Sequence, residues 1–301
     1  MKFDKIVEDI KKLKIQSAEN VAKNALLAIQ DYSRHIDTLT KTKFIDELEK
    51  AKQILFQTRP TEPCMRNSLN YVLSDLNSLT LEETQKKFNL NINQALQHLE
   101  TAKDIVGEIG SRKIRNGSNI FTHCHSSFVI SILIKAKQQG KNFTVHNTET
   151  RPRFQGRITA SELSKANIPI VHYIDSAARL AIKKCDLMLI GADAIDSEGK
   201  IYNKIGSEMF AEIASKFEIP VYIATDSWKF DPKSIFGFNE EIEKRSPSEI
   251  WANPPKNVKI ENFAFEKIDP ESISGIISEL GIFNPQTFIE EIRSKYKFMF
   301  I

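Results

Sequence analysis

The sequence contains little cysteine, almost no net charge and no long apolar run. Its 301 residues include three cysteines and carry a formal net charge of +3, from 42 basic and 39 acidic residues. Three thiols do not form a disulfide framework, and they suit a reducing, cytoplasmic compartment. The longest apolar stretch, 128–134, is interrupted by Ser131 and is far shorter than the ~18 residues of a membrane span. We therefore expect neither a membrane nor a nucleic acid as a partner, and any affinity for anions must come from local clusters of charge.

Glycine is also absent from the first part of the chain, up to Gly107. In this part apolar residues recur at spacings of three and four, as in Phe3, Ile6, Val7 and Ile10. That spacing is typical of amphipathic helices. The pattern therefore predicts an N-terminal helical domain over residues 1–110, interrupted by a proline-containing loop over residues 57–63.

After residue 110 the pattern changes to short apolar runs that alternate with segments of helical length. Strands that alternate with helices indicate a parallel, doubly wound sheet, so the predicted fold class is α/β, with the sheet domain over residues 111–301. A last helix is predicted from Pro285 to Tyr296. The predicted strands are residues 119–121, 143–145, 170–174, 187–190 and 221–223.

Reactive and charged residues follow all of the predicted strands. In open parallel sheets ligands bind beyond the carboxyl ends of the strands, so these segments are expected to meet at one edge. Some of their residues, such as Ser126 and Asp226, also suit helix N-capping. As a set, a thiol, carboxylates, guanidinium groups and an ammonium predict a site for a small anionic substrate. The segments are residues 122–127, 148–152, 175–179, 191–195 and 225–229.

Cys124 is the candidate base or nucleophile. It lies just before a predicted helix and between His123 and His125, a setting that can favour the thiolate. The alternative is a small buried apolar residue, which is the common role of an isolated cysteine. No CxxC pair accompanies the His-Cys-His sequence, so we expect no metal site.

Asp193 is the candidate acid. It follows an apolar strand and lies next to Gly191 and other small residues, which allow close approach of a ligand. A partly desolvated carboxyl group can stay protonated near neutral pH and donate a proton. A turn or N-cap role is the alternative, but together with Cys124 it would form an acid and base pair.

Several residues suit a phosphate. Ser126 and Ser127 open one predicted helix, and Ser207 opens another just after Lys204. Helix N-termini present free N–H groups to anions, and Lys229 at the fifth strand end adds an ammonium. Arginines also crowd the loop over residues 151–157. Neither GxGxxG nor GxxxxGK[ST] occurs, which argues against a dinucleotide fold and a P-loop ATPase.

The stretches THCHSS, TETRPRFQGRITA, DSAAR, GADAI and NKIG occur in this order. Together they resemble one family, which contains ribose-1,5-bisphosphate isomerase, methylthioribose-1-phosphate isomerase and the alpha, beta and delta regulatory subunits of translation initiation factor 2B. The similarity is greatest to the archaeal ribose-1,5-bisphosphate isomerases. It implies a helical domain followed by a Rossmann-like domain, with the active site between them. It also implies a homo-oligomer, either a dimer or a hexamer, and an AMP-type activator.

The resemblance implies a role for each matching residue. Cys124 would be the proton acceptor and Asp193 the proton donor in the conversion of ribose 1,5-bisphosphate into ribulose 1,5-bisphosphate, which needs no cofactor. A sugar bisphosphate substrate would be held by several further positions. These are Arg59, Ser126, Ser127, Phe128, Asn203, Lys204 and Lys229, together with Gln16, Ser17 and Ala18 near the N-terminus.

One departure from the family pattern lies near the N-terminus. The isomerases carry a phosphate-binding segment like Arg-Gly-Ala-Gly, whereas this chain has Gln16 and Ser17 in place of the first two residues and Glu19 in place of the last. A carboxylate close to a phosphate would repel it. The departure keeps open the alternative of a non-catalytic regulatory subunit that binds a nucleotide or a sugar phosphate. Methylthioribose-1-phosphate isomerase is a third possibility.

Overall fold

The computed structural model of the protein describes residues 2–76, 80–238 and 242–300. Its first part is helical and its second part alternates strands with helices, so the predicted α/β fold class is confirmed. The predicted domain limits at residues 1 and 301 lie outside the described residues, and the division at residue 110 stays a prediction. The helices are α1 (Lys2–Lys11), α2 (Ala18–Ser33), α3 (Lys41–Phe56), α4 (Pro63–Leu73), α5 (Leu81–Ser111), α6 (Ser127–Gln138), α7 (Gln155–Lys165), α8 (Ala178–Ile182), α9 (Ser207–Lys216) and α10 (Pro285–Lys295).

The helical part forms because its apolar stripes are buried against one another. The first helices bury residues that recur at three and four along the chain, for example Val21, Ala25 and Leu26 in α2. Helix α5 is 31 residues long and starts with a capping box, in which Thr80 and Glu83 satisfy each other's backbone N–H groups. It runs along the sheet part and packs against α6, so it connects the two parts of the chain.

The second part is built on a seven-stranded sheet with the order β10-β9-β7-β4-β1-β2-β3. All neighbouring strands are parallel except β10, which is antiparallel to β9. The five predicted strands and the last helix are confirmed, whereas β9 and β10 were not predicted. The strands of this sheet are β1 (Asn119–Thr122), β2 (Thr144–Thr148), β3 (Ile170–Tyr173), β4 (Leu187–Gly191), β7 (Val221–Ala224), β9 (Gly275–Ser278) and β10 (Gly281–Phe283).

A second, three-stranded sheet lies beyond the carboxyl end of β4. It consists of β5 (Ala194–Ile195), β6 (Ile201–Lys204) and β8 (Phe265–Ile268), in the order β5-β6-β8 with antiparallel neighbours. This sheet was not predicted, because β6 has the sequence IYNK and lacks the alternation of apolar and polar residues that marks a half-buried strand. All residues of β6 are buried, and two of them are polar.

The helical part is fixed to the sheet part by a buried amide. The Asn67 side chain, on α4, donates hydrogen bonds to the backbone oxygens of Trp228 (2.8 Å) and Phe230 (2.7 Å). A continuous apolar cluster around this junction includes Leu26 of the helical part and Ile223 of the sheet part. The junction therefore holds the 3-10 turn Ser227–Lys229, which follows β7, against α4.

Replacing Asn67 by alanine is expected to lower the free energy of unfolding by about 2–4 kcal/mol. Two buried carbonyl groups lose their donor, and a buried polar group without a partner costs about 1–3 kcal/mol. Urea unfolding measures the effect. Asn89→Ala is the matched control, since Asn89 is exposed and its side chain bonds the Gln85 backbone oxygen of its own helix. Equal losses in the two variants would contradict a role of Asn67 in joining the two parts.

Within the ranges that the structure describes, no helix combines the length and the apolar character that crossing a membrane requires.

Candidate functional site

A cavity of about 420 Å³ lies between the helical part and the carboxyl edge of the large sheet. Ligand sites in open parallel sheets are found at this edge. Of the residues to which the resemblance assigned a role, the structure brings all but Phe128 together here. The predicted residues that line the cavity are Gln16, Ser17, Ala18, Arg59, Cys124, Ser126, Ser127, Asp193, Asn203, Lys204 and Lys229.

Phe128 is the predicted site residue that does not line the cavity. Phe128 belongs to α6, and its side chain is buried in an apolar cluster, with 1% of its surface exposed. The Nζ atom of Lys229 lies 5.0 Å from the centre of its ring. Phe128 therefore supports the lysine through a cation–π contact and does not face the cavity itself.

Cys124 is held at the end of β1 in an uncommon backbone conformation. Its φ angle is 65°, in the left-handed region that residues with a side chain rarely adopt. Its N–H group donates to the Thr150 hydroxyl (3.0 Å), and its carbonyl accepts from the Thr159 hydroxyl (2.8 Å). Such strain persists only where the surroundings enforce it, and it is common at functional sites.

The prediction that the setting of Cys124 favours a thiolate is wrong. Burial raises the pKa of the Cys124 thiol to about 11, although the Lys204 ammonium acts in the opposite direction. The neighbouring histidines supply no positive charge, because burial lowers the pKa of His123 to about 4 and also lowers that of His125. Cys124 is therefore a thiol at neutral pH.

Asp193 lies in the turn between β4 and β5. Its N–H group donates to the Tyr202 backbone oxygen (2.8 Å), which fixes the turn. Gly191, two residues earlier, permits the close approach of Ser126, since a Cβ atom there would lie 2.7 Å from Oγ of Ser126. The negative charge of Asp193 contributes to the raised pKa of Cys124. The two side chains are therefore close enough in the cavity for the charge of one to affect the ionisation of the other.

Lys204 and Lys229 are the main cationic groups of the cavity. Each has only 7% of its surface exposed, and neither forms an ion pair with a carboxylate among the described residues. Lys229 donates to the Ala192 backbone oxygen (2.6 Å), and the ammonium of Lys204 lies 4.7 Å from the centre of the Phe265 ring. A buried ammonium without a counter-ion is costly, so the pair indicates an anionic ligand.

The polar residues next to these lysines are already ordered by hydrogen bonds. The Asn203 amide donates to the Ser207 hydroxyl at the start of α9 (3.0 Å). Ser126 caps α6, where its hydroxyl accepts from the Val129 N–H group. The first turn of α6 therefore borders the cavity, and helix N-termini favour anions.

Arg59 is buried and is engaged by carboxylates. Its Nη2 atom lies 2.7 Å from Oε1 of Glu62 and 3.4 Å from Oε2 of Glu243. The other arginines that suggested phosphate binding, at 151, 153 and 157, do not line the cavity. Arg153 pairs with Glu249, so Lys204 and Lys229 are the cationic side chains of the cavity that no described carboxylate engages.

The segment over residues 16–19 closes one end of the cavity. Gln16 donates to the Leu13 backbone oxygen (2.8 Å), and Ser17 caps α2. Glu19 accepts a hydrogen bond from the Ser127 hydroxyl (2.9 Å) and lies 3.7 Å from the ammonium of Lys103. A phosphate can occupy this end only if it displaces the Glu19 carboxylate from both groups.

Sequence reasoning missed three charged residues that line the cavity, Glu62, Lys103 and Arg245. They come from the start of α4, from α5 and from the segment before β8, far from the strand ends on which the prediction was based. Glu62 follows the predicted Arg59 in the proline-containing loop, and this proximity was the only sequence signal for any of them.

A possible metal-binding group occurs outside the cavity. The ligand atoms of His98, Asp226 and Glu279 lie within 4.8 Å of one another. They are already bonded within the protein, since His98 contacts Asp226 (2.9 Å) and Glu279 accepts from the hydroxyls of Ser227 and Tyr296. The arrangement satisfies these side chains as a buried network, so we assign it no metal.

Comparisons with known proteins match nearly the whole chain. The Initiation factor 2 subunit family matches residues 14–285. The ribose 1,5-bisphosphate isomerase of Thermococcus kodakarensis is 36% identical over 97% of this chain and 94% of its own length. The methylthioribose-1-phosphate isomerase of Acetivibrio thermocellus is 31% identical over 94% of this chain and 88% of its own length. Among solved structures, the Pyrococcus horikoshii OT3 translation initiation factor eIF-2B has a TM-score of 0.82 at 26% identity, covering 95% of this chain and 98% of that chain.

Proposed function

The chain belongs to the initiation factor 2 subunit family, and from that premise we propose that it is an aldose–ketose isomerase that converts ribose 1,5-bisphosphate into ribulose 1,5-bisphosphate. The observation that carries the proposal is the pair of buried ammonium groups, Lys204 and Lys229, which no carboxylate of the described residues pairs with, in a cavity that also contains Cys124 and Asp193. The ammonium groups would bind phosphate, and the thiol and carboxyl groups would move protons.

The cavity has the size and charge for such a substrate. Pockets for small molecules have volumes of about 300–1,000 Å³, and this cavity has about 420 Å³. Lys204 and Lys229 lie near the start of α6, whose N–H groups and helix dipole also favour an anion. The two lysines and the start of α6 therefore supply one phosphate site. A second phosphate site, at the end of the cavity near residues 16–19, requires movement of the Glu19 carboxylate.

The proposed reaction begins with opening of the sugar ring. The reaction uses the protonated form of Asp193, which donates its proton to the ring oxygen while the bond from that oxygen to C1 breaks. One hydrogen then moves from C2 to C1, as a hydride or through an enediol, and the C2 hydroxyl gives up its proton as the carbonyl forms. Cys124 is the proton acceptor. Substrate and product are isomers, so the transfer is internal and takes no redox cofactor.

The raised pKa of Cys124 predicts how the reaction depends on pH. The fraction of thiolate in a group with a pKa of about 11 rises tenfold per pH unit below that value. If the thiolate accepts the proton, kcat/KM is expected to rise about tenfold per unit between pH 7 and pH 9. Initial rates in overlapping buffers measure this slope. A flat profile in that range would contradict the role of Cys124 as base.

Incubation of the full-length protein with ribose 1,5-bisphosphate tests the proposed function directly. We expect ribulose 1,5-bisphosphate to form, detected as a ketose and identified by mass and chromatography. Methylthioribose 1-phosphate serves as the competing substrate. Absence of product from ribose 1,5-bisphosphate, or preferential turnover of methylthioribose 1-phosphate, would contradict the proposal.

A second candidate function is a non-catalytic regulatory subunit of the initiation factor 2B type. The engagement of Ser127 and Lys103 by Glu19 favours it, because these groups are not free to bind a second phosphate. In that case the cavity would bind AMP or a sugar phosphate without turnover, and the protein would associate with initiation factor 2 subunits. Binding of AMP by calorimetry, no isomerase product and capture of those subunits would support this candidate.

The oligomeric state and the activator complete the proposal. We expect a homo-oligomer, either a dimer or a hexamer, and an AMP-type activator of the isomerase. Light scattering gives the number of subunits, and the isomerase assay with and without AMP gives the activation. A protein that is a monomer and is insensitive to AMP would contradict both the expected oligomer and the expected activator. The isomerase assignment would stay in place.

A further inference from the structure

Glu62 places a buried carboxylate in the cavity wall, and the proposed reaction does not use it. Only 2% of the surface of Glu62 is exposed, and Glu62 lines the same cavity as Cys124 and Asp193. Its Oε1 atom is paired with Arg59 at 2.7 Å. Its Oε2 atom is buried and has no hydrogen-bond partner among the described residues. Buried carboxylate oxygens are almost always bonded, so this one indicates a donor that a ligand supplies.

The position of Glu62 in the chain supports the same conclusion. Glu62 is the N-cap residue of α4, where a side-chain oxygen usually accepts from the backbone of the first turn. Here the side chain forms no such bond. The ion pair with Arg59, itself buried, holds the carboxylate in the cavity wall and away from its own helix.

The charges around Glu62 define its ionisation. Burial raises the pKa of Glu62 to about 7, and the nearby charges of Asp193 and Glu243 add to that effect. The positive charges of Arg59 and Lys229 oppose it. The carboxyl group therefore changes between neutral and charged forms near neutral pH, and only the charged form is purely an acceptor.

We propose that Glu62 is a substrate-binding residue that accepts a hydrogen bond from a sugar hydroxyl through its Oε2 atom, with Arg59 as its positioning residue. This inference rests on the proposed function. A phosphate next to Glu62 would be repelled, whereas the hydroxyls of a sugar phosphate are donors and suit an unpartnered carboxylate oxygen. Lys204 and Lys229 bind the phosphate, and Glu62 binds the carbohydrate between the charged ends.

The first test compares two variants that each remove a carboxylate partner of Arg59. Glu62→Gln is expected to lower kcat/KM about 10- to 100-fold, because it exchanges a charge-assisted hydrogen bond for a neutral one. Glu243→Gln is the matched control, since Glu243 contacts Arg59 but does not line the cavity. Its kcat/KM is expected to fall less than threefold. Thermal unfolding of both variants checks that they fold.

The second test is the pH profile, which a merely structural role of Glu62 would not alter. Below pH 7 the wild-type protein is expected to lose kcat/KM more steeply than Glu62→Gln, because protonation of Glu62 removes the charge that strengthens its hydrogen bond to the sugar hydroxyl. The phosphates of the substrate titrate near pH 6 in both proteins, so their contribution cancels in the comparison.

The outcomes separate the inference from the function on which it rests. An active wild-type protein, with Glu62→Gln equal to Glu243→Gln in kcat/KM and equal to the wild-type protein in pH profile, would overturn the inference and leave the isomerase in place. If Glu62→Gln does not fold, the absence of a pH limb near 7 in the wild-type protein overturns the inference. A wild-type protein that neither converts nor binds ribose 1,5-bisphosphate would overturn the proposed function, and the inference with it.

Discussion

Replacement of Cys124 by alanine is expected to lower kcat for isomerisation by about 10²- to 10⁴-fold, the range that a single acid or base group contributes. Cys124 is the proton acceptor in the proposed reaction, and His123 and His125 cannot replace it. His123 is bonded to the Thr148 hydroxyl and the Ile205 backbone oxygen, and His125 contacts the Thr159 hydroxyl. Initial rates with ribose 1,5-bisphosphate at saturation measure the effect.

The matched control for this variant is Cys185→Ala. Cys185 is also buried, and its thiol bonds the Ala181 backbone oxygen outside the cavity. We expect the control to keep kcat within twofold. Both variants are expected to keep the oligomeric state of the wild-type protein, measured by light scattering. Full activity of Cys124→Ala would contradict the proposed mechanism, and an equal loss in both variants would indicate a general effect on the fold.

The sequence predicted the central strands β1, β4 and β7 of the large sheet because they are largely buried on both faces. Such strands are continuous apolar runs, as in 187–190 and 221–223, and continuous runs bounded by polar residues are easily recognised. The strand β6 was missed for the opposite reason. It carries Asn203 and Lys204, whose polar side chains are buried because they line the cavity, so the local pattern of hydrophobicity does not indicate a strand.

The composition of the cavity was predictable only in part. The carboxyl ends of β1, β4 and β7 lie at the same edge of the sheet, so it followed from the topology that Cys124, Asp193 and Lys229 would approach one another. Glu62 and Lys103 belong to helices that fold over that edge, and no local pattern in the sequence indicates which helical residues reach it. Their place depends on tertiary packing.

The ionisation of Cys124 shows a further limit of sequence reasoning. The sequence shows that His123 and His125 are neighbours of the thiol, but it does not show that burial keeps both imidazoles neutral. The same amino-acid sequence is compatible with charged histidines and with neutral histidines beside the thiol. The difference lies in solvation, which depends on how completely the helical part covers the sheet edge.

Asp193→Asn is expected to lower kcat by about 10²- to 10⁴-fold, because an amide has the shape of the carboxyl group but cannot donate its proton to the ring oxygen. The turn itself is retained, since it depends on the backbone bond to Tyr202. Binding of ribose 1,5-bisphosphate, measured by calorimetry, is expected to change far less than kcat. Asp186→Asn is the matched control, because Asp186 precedes β4 and bonds the Asn119 N–H group at the opposite edge of the sheet.

The same variant also tests whether the charged groups of the cavity act on one another. The charge of Asp193 raises the pKa of both Cys124 and Glu62, so its removal lowers both. The residual activity of Asp193→Asn is therefore expected to have a pH profile displaced to lower pH relative to the wild-type protein. Asp186→Asn should keep the wild-type profile. A large loss of kcat without any displacement would mean that Asp193 acts on the substrate but is electrostatically isolated from Cys124 and Glu62.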